Sequence, residues 1–509
     1  MSQTSPSCVL PYDHDPRQWS KWRRWTIALV IWNLIAPIDV VLTFYSGMQQ
    51  QIQDYFQAPG SIVTLGVSLF NFGSIFGPLI GGPLSELYGR RPVYIGSSVG
   101  FVLFCLGAAL SPSITCLLVC RGLAGFIGSA VFSLYGGTLA DMFTPDERGP
   151  LVALFTVVLQ GAPTIGPVPS SFLGTSVPWR WLLGCITLWA AIITAVTVFL
   201  PETESNAIRR KLAKERVELV TSKVVGAPHT QKDIWSKALL TPLIMLRQEP
   251  IVLWTAIYHA FVYGLLFLLL EAYPHVYNSH YSMPREQAGL VFIAPWLGNI
   301  LGVLVYFRSL KPQYEARQRA VQIQSGGKRE IEPEGRLPGV ILSSIFTPIG
   351  MFWFAFSAHP DVHWFLPVLS GVPVGMGMTL LQLSLLNYYI DLYPTRSASV
   401  IAANCAVRNV VATIFPSVGV PLYSCLGIRN ASLLLASISC VGFPTGLVLF
   451  VFGKRLRKAS RWAKQDDDVI VSGEADAMAS CQDQNEDMSG RPLLAQRPEN
   501  QYGGTSMSA

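Results

Sequence analysis

Long unbroken apolar runs, and not alternating ones, set the pattern of this chain. Twelve of them fall near 25–47, 61–82, 93–112, 114–136, 150–173, 180–200, 251–273, 288–307, 338–357, 364–389, 397–421 and 431–453. About 20 residues at a rise of 1.5 Å each cross the hydrocarbon core of a bilayer, so each run predicts a membrane-spanning helix. A spanning β-barrel is excluded, because its strands read as alternating segments of about ten residues. A polar stretch at 202–249 divides the runs six and six. The expected architecture is an all-α membrane protein with twelve transmembrane helices in two six-helix bundles. Its parts are an N-terminal segment 1–24, a first bundle 25–201, a central loop 202–249, a second bundle 250–453 and a tail 454–509.

Composition supports that picture. Of 509 residues 50% are hydrophobic and only 13% charged, against roughly 25% charged in ordinary soluble domains. The charges are also unevenly placed. Of 37 Lys and Arg residues, only Arg180, Arg285 and Arg429 fall in segments on one side of the bilayer, and Arg121 and Arg408 fall inside runs. The rest flank the other side, which is thereby read as cytoplasmic and carries both termini. A multi-pass plasma-membrane protein acting as a monomer is expected, with the lipid bilayer as its surroundings.

Several function classes drop out. No basic patch is interleaved with aromatics, so nucleic acid is not expected as a partner. Nine cysteines show no framework spacing, and neither a metal site nor any cofactor is expected. Gly326-Gly327-Lys328 lacks the upstream glycine and following hydroxyl of a nucleotide-binding P-loop, and no residues read as a catalytic triad, so an enzyme is not expected. The basic stretch AIRRKLAKER in the central loop reads either as a solvated helix or as one lying on the inner headgroups. The acidic tail from about 463 has few large apolar residues and is expected to be disordered. Asn430-Ala431-Ser432 is a glycosylation triplet that abuts the last run.

Short motifs are more specific than the layout. Between the second and third runs the chain reads GGPLSELYGRR, residues 81–91; the fourth run contains LLVCRGLAGFIGSA; the fifth contains LQGAPTIGPVPSSFLG. The first resembles the loop signature of the major facilitator superfamily at Gly82, Leu84, Gly89, Arg90 and Arg91, with Glu86 where Asp is usual. The second is similar to that family's buried arginine followed by glycines. The third resembles its antiporter signature through Gly161, Gly166 and Pro167, with Ser170-Ser171 replacing a glycine pair. PWRWLLG, FLPET, EPEGRLP and SLLNYYIDLYP extend the likeness to the fungal twelve-helix drug:proton antiporters over about 15–462. The resemblance implies two bundles around a central cavity, alternately open to each side, and proton-coupled export of a small-molecule substrate such as a drug, toxin or secondary metabolite. An importer or facilitator of a nutrient, organic acid or polyamine is the alternative within transport. A transport-inactive receptor is the alternative outside it.

The motifs have physical readings of their own. Gly89 suits a tight turn between antiparallel helices. Glu86 can face the positive N-terminus of a neighbouring helix starting near Ser397 and so act, with Gly82, Arg90 and Arg91, as a conformational latch; a plain topology-setting loop is the other reading. Pro167 with Gly161 and Gly166 predicts a kinked, closely packed seam between the halves. Charged residues at membrane depth are functional candidates. Arg121 and Asp39 are read as a proton-coupling pair within the first bundle, and Trp32, Asp39 and Ser46 share one helix face. His259, Tyr263 and Phe267 share a face of the seventh run. Glu271, about 18 Å further along it, is expected to gate the outer mouth. Asn404 aligns with Arg408. Tyr135, Gln160, Trp296, Gln382 and Asn387 complete an expected aromatic and polar cavity lining.

Overall fold

A computed structural model of the full chain describes residues 15–143, 145–204, 207–210, 212, 231–325, 333–393, 396–460 and 462. The first six spans are α1 (Lys21–Phe56), α2 (Gly60–Tyr88), α3 (Arg90–Ala109), α4 (Ile114–Leu139), α5 (Leu151–Ser176) and α6 (Trp179–Thr197). They are followed by α7 (Pro250–Tyr281), α8 (Glu286–Ile323), α9 (Pro333–Ser357) and α10 (Phe365–Leu392). The last apolar stretch, Ser399–Arg457, is 59 residues long. At 1.5 Å per residue that is nearly three times the roughly 30 Å hydrocarbon thickness, so it must fold back. It does so at Gly427, whose φ of 74° lies in the left-handed region open to glycine. Across that turn the Ser432 hydroxyl donates to Tyr423 at 3.1 Å, and Arg396 before the stretch stacks on Trp462 after it at 4.2 Å. This hairpin supplies α11 (397–426) and α12 (428–459), completing twelve spans. No strand occurs among the described residues.

Helix ends follow local chemistry. Ser20 accepts from Arg23 N before α1, and Ser113 accepts from Cys116 N before α4. Gly89, at φ 100°, makes the two-way cap between α2 and α3. The helix of α5 breaks at Gly166, where Pro167 starts a new one, as the proline predicts. Other helices outrun their apolar segments. The helix of α8 runs on to Ser325, where Glu315 pairs with Lys311 and Arg319 one turn away on either side. The central segment, expected as a loop, contains a helix at Gln231–Gln248 that packs on α2, α7 and α11 and so bridges both halves. Half of the basic stretch 207–216 (211 and 213–216) lies outside the described residues, and the tail from 463 wholly so.

Within the first half α2 packs on α4, α3 on α4 and α6, and α1 on α5 and α6; within the second, α7 on α11, α8 on α10, and α9 on α10 and α12. Glycines make the closest of these contacts. A Cβ on Gly73 would strike the Gly122 carbonyl, and one on Gly125 the Phe70 carbonyl. The second and fourth helices of the other half repeat the device, with Gly298 against Val372 O and Gly375 against Pro295 O. Backbones approach this closely only where no side chain intervenes.

We call the end holding Lys21 and Arg457 the base and the opposite end the mouth. At the base, buried Glu249 accepts from Tyr393 OH (3.0 Å), Ser460 Oγ (2.9 Å) and Trp462 N (3.3 Å). The start of α7, the end of α10 and the residues after α12 are thereby tied together. At the mouth, Asn430 is exposed beside the Gly427 turn, but the Ser432 hydroxyl of its triplet is buried against Tyr423.

Candidate functional site

Two seams join the halves. Along α2 and α11, Ser68 Oγ meets Ser417 Oγ at 3.4 Å, Asn71 Nδ2 donates to Ala412 O at 3.3 Å, and Asn409 Nδ2 donates to Ser74 O at 2.8 Å. Along α5 and α8, Asn299 Nδ2 donates to Gln160 O and to Thr164 Oγ1, both at 3.1 Å, while its Oδ1 accepts from Thr379 at 3.0 Å. Of the expected antiporter seam, Gly161 faces Trp296 of α8, and Pro167 O and Ser171 lie against Gly289. Gly166 instead packs on Thr43 and Phe44 of α1, within its own half. The asparagines that stitch these seams do not stand out in the sequence, where one amide in an apolar run looks like ordinary helix–helix bonding.

At mid-depth a polar cluster spans the interface. Asp39 on α1 is buried, and its Oδ2 has no hydrogen-bond partner among the described residues. The charged group that acts on it is Arg408 of α11, from the opposite half. Arg408 also lies buried; its guanidinium sits 4.1 Å over the Tyr263 ring and donates to Gln382 Oε1 at 3.3 Å, leaving Nε unbonded. Beside it, His259 Nδ1 bonds Asn404 Oδ1 at 2.7 Å, and Asn404 Nδ2 donates to Tyr389 OH at 3.1 Å. The α7 face carrying His259 and the α11 face carrying Asn404 thus meet in a direct bond. Asp39 Oδ2, Arg408 Nε and His259 Nε2 are all buried here without a hydrogen-bond partner among the described residues.

Arg121 does not belong to this cluster. Its Nε donates to Gly66 O at 2.7 Å, its Nη2 reaches Leu42 O at 3.3 Å, and its guanidinium stacks on Tyr45 at 4.1 Å. A side chain consumed by backbone carbonyls of α1 and α2 is a clamp between those helices. The expected Arg121–Asp39 pairing is not seen: Arg121 is held by the carbonyls of α1 and α2, and the charged group whose field reaches Asp39 is Arg408 of the opposite half, with no ion pair or hydrogen bond between the two among the described residues. Gln160 contributes its backbone carbonyl to the α5–α8 seam, while its side-chain Oε1 is buried without a hydrogen-bond partner among the described residues.

The cavity also differs from expectation. It measures about 730 Å³ and opens at the mouth between α1, α2, α5, α7, α8 and α11. Glu271 lines it, accepting from Gln49 Nε2 at 2.7 Å across the two halves. Asp39, Gln160, His259, Tyr263 and Arg408 do not reach it, nor do Tyr135, Trp296, Gln382 and Asn387. The first five lie about 10 Å or more toward the base, judged from seven or more residues of helical rise to the nearest lining residue. The α2–α11 and α5–α8 contacts close the interface there.

The latch motif is only partly visible. The Glu86 side chain lies outside the described residues, and a Cβ added at Gly82 would only touch Ser133, at 3.9 Å. What is seen is a different carboxylate on the same loop. Glu202, from FLPET after α6, accepts from the backbone amides of Arg90 (2.8 Å) and Arg91 (3.1 Å) at the start of α3. Arg91 Nη2 returns to Val198 O at 2.8 Å. Arg90 Nε pairs with Asp141 at 3.3 Å, and Arg90 Nη1 donates to Ser85 Oγ at 2.7 Å. Burial pushes the Asp141 carboxyl up to about 6 against the pull of Arg90, so this pair weakens as pH falls through that value. An anion on a helix N-terminus contributes roughly 0.3–1 kcal/mol. Glu202→Gln is expected to lower the thermal melting point of the detergent-purified protein by the equivalent of about 1 kcal/mol, and an unchanged melt contradicts the cap.

Comparison with known proteins agrees with this geometry. The Major Facilitator Superfamily family profile matches residues 29–416. The MFS-type efflux pump MFS2 of Trichophyton rubrum is 35% identical over 476 residues, covering 90% of this chain and 77% of that one. Efflux pump FUB11 of Gibberella moniliformis is 34% identical, covering 88% and 76% respectively. The multidrug transporter mdrA of Aspergillus fumigatus is 32% identical, covering 92% and 77%. Among solved structures, the proton:xylose symporter XylE aligns with a TM-score of 0.61 at 17% identity over 85% of this chain and 96% of its own. Human MFSD10 aligns at 0.57, also at 17% identity, over 84% of this chain and 100% of its own. Both structures bear on the fold alone. Twelve spans in two halves, the family profile and relatives at this level of identity place the chain in the major facilitator superfamily, beside its fungal efflux pumps.

Proposed function

We propose that this protein is a secondary transporter that exports small organic molecules, drugs or secondary metabolites, in exchange for protons. It works by alternating access between base and mouth. The observation that carries the coupling is the buried Asp39 carboxyl, whose Oδ2 has no hydrogen-bond partner among the described residues and which lies in the field of Arg408 from the opposite half. A carboxylate at membrane depth can bind and release a proton as its surroundings change, whereas an arginine stays charged. Motion of the halves alters the distance between the two, so protonation and conformation become linked. The relatives' names as efflux pumps support the direction of transport. The crowding of cations at the base supports a cytoplasmic base, with both termini inside and the mouth outside the plasma membrane. A monomer contains both halves and needs no second copy. Glu86 keeps its proposed latch role beside the Glu202 cap.

The test is transport in proteoliposomes, with cargo first chosen by screening toxic and secreted compounds in cells stripped of their own exporters. An imposed pH gradient without nucleotide should drive accumulation of the chosen compound. Accumulation indifferent to both the pH gradient and the membrane potential would remove proton coupling.

A further inference from the structure

The mouth cavity has a chemical sign of its own. Glu271 is its one carboxylate, and no Lys or Arg occurs among its described lining residues. The side chain of Arg285, near the start of α8, is not among those described. His275, at the exposed rim, is the other titratable group of the lining. Glu271 is itself more than nine-tenths buried, with a relative exposure of 8%. Its Oε1 accepts from Gln49, while its Oε2 makes no hydrogen bond among the described residues, although the residue lines the cavity. A carboxylate held away from bulk water with a single amide donor lacks most of the hydrogen bonding that would stabilise its charge.

The surroundings define what could complete it. Pro167, Pro274, Pro416, Leu270, Phe292 and Val420 give the cavity apolar walls. Of the glutamines at the end of α1, Gln51 is committed to the α5–α6 turn: it donates to Val177 O at 3.0 Å and accepts from Trp179 N at 2.7 Å. It therefore shapes the wall and leaves the counter-charge to Glu271. A space of about 730 Å³ with apolar walls and one oriented charge lies in the size range of small-molecule sites. It suits a molecule with an apolar body and one positive centre.

We propose that the mouth cavity is a subsite for amphipathic organic cations, with Glu271 as their counter-ion. It lies on the exit side of the Asp39–Arg408 cluster and holds a cation before release. This deepens the export reading and rests on it for the word release, but binding at the site can be measured without transport.

The full chain in lipid nanodiscs is titrated with rhodamine 6G, a cationic dye, and with fluorescein, an anionic dye of related shape, followed by fluorescence anisotropy. Rhodamine 6G should bind and fluorescein should not. Glu271→Gln should weaken rhodamine 6G binding about tenfold or more, the loss expected for a charge-assisted contact. Asn278→Lys puts a positive charge on the exposed part of the lining and should weaken rhodamine 6G binding severalfold. It decides the matter if Glu271→Gln fails to fold. Wild-type rhodamine 6G affinity in a folded Glu271→Gln protein, preference for fluorescein, or unchanged or tighter rhodamine 6G binding in Asn278→Lys each overturns the subsite. The two readings fail separately. Gradient-driven transport of a neutral compound alongside Glu271-independent dye binding overturns only the subsite. Glu271-dependent dye binding with no transport under any gradient supports the subsite and overturns only the export reading.

Discussion

Asp39→Asn is expected to abolish gradient-driven accumulation while leaving downhill exchange of the same compound measurable. The amide keeps the shape of the carboxylate and its buried place near the interface but cannot exchange a proton at physiological pH. Arg408 would then face a permanently neutral partner, and the interface would lose the charge change that links its two conformations. Downhill exchange needs only the alternation itself, so it should survive. Arg408→Lys should impair coupling as well, because a point charge cannot both stack on Tyr263 and donate to Gln382. Transport assays on protein matched for membrane abundance check both. Full accumulation in Asp39→Asn would move the proton elsewhere, with Glu271 the next carboxylate along the path.

Gly125→Leu is expected to remove folded protein almost completely. The added Cβ alone would strike the Phe70 carbonyl, and a backbone atom of a packed helix cannot swing aside as a side-chain tip can. Overpacking a core costs about 1–3 kcal/mol, and a clash with backbone belongs at or above the top of that range. The damage spreads, since α2 also carries Ser68, Asn71 and Ser74, which meet α11. Detergent-solubilised yield and size-exclusion profile are the readout. A wild-type profile would mean that α2 and α4 can separate freely, against the glycine contacts on both.

The spans are legible in the sequence because a bilayer demands about 20 apolar residues per helix, a signal that survives without knowledge of packing. Gly89 and Pro167 are legible for a similar reason, since each restricts the backbone wherever it stands. Partnership is not. Asp39 and Arg121 fall in one half by sequence and look like natural partners, yet the charged group whose field reaches the carboxyl is Arg408, 369 positions downstream. Asn299 and Asn409 escape notice because an asparagine in an apolar run looks the same whether it bonds within a half or across both. Glu202 reads only as part of a family ending; its role depends on the end of α6 arriving at the start of α3, which no local pattern encodes. The helix Gln231–Gln248 is hidden because a bridge lying outside the bilayer needs no long apolar run. The cavity lining is misplaced because chemistry suggests which residues could meet a cargo, while the conformation decides which of them are open.

The Glu249 anchor gives the C-terminus a boundary that is useful in practice. Truncations and reporter fusions made after Trp462 keep the Tyr393, Ser460 and Trp462 contacts, whereas a cut at 459 strands a buried carboxylate with one donor of three. Trimming the chain back to Trp462 and trimming it back past Ser460 are therefore different experiments, although the two chain lengths differ by only a few residues.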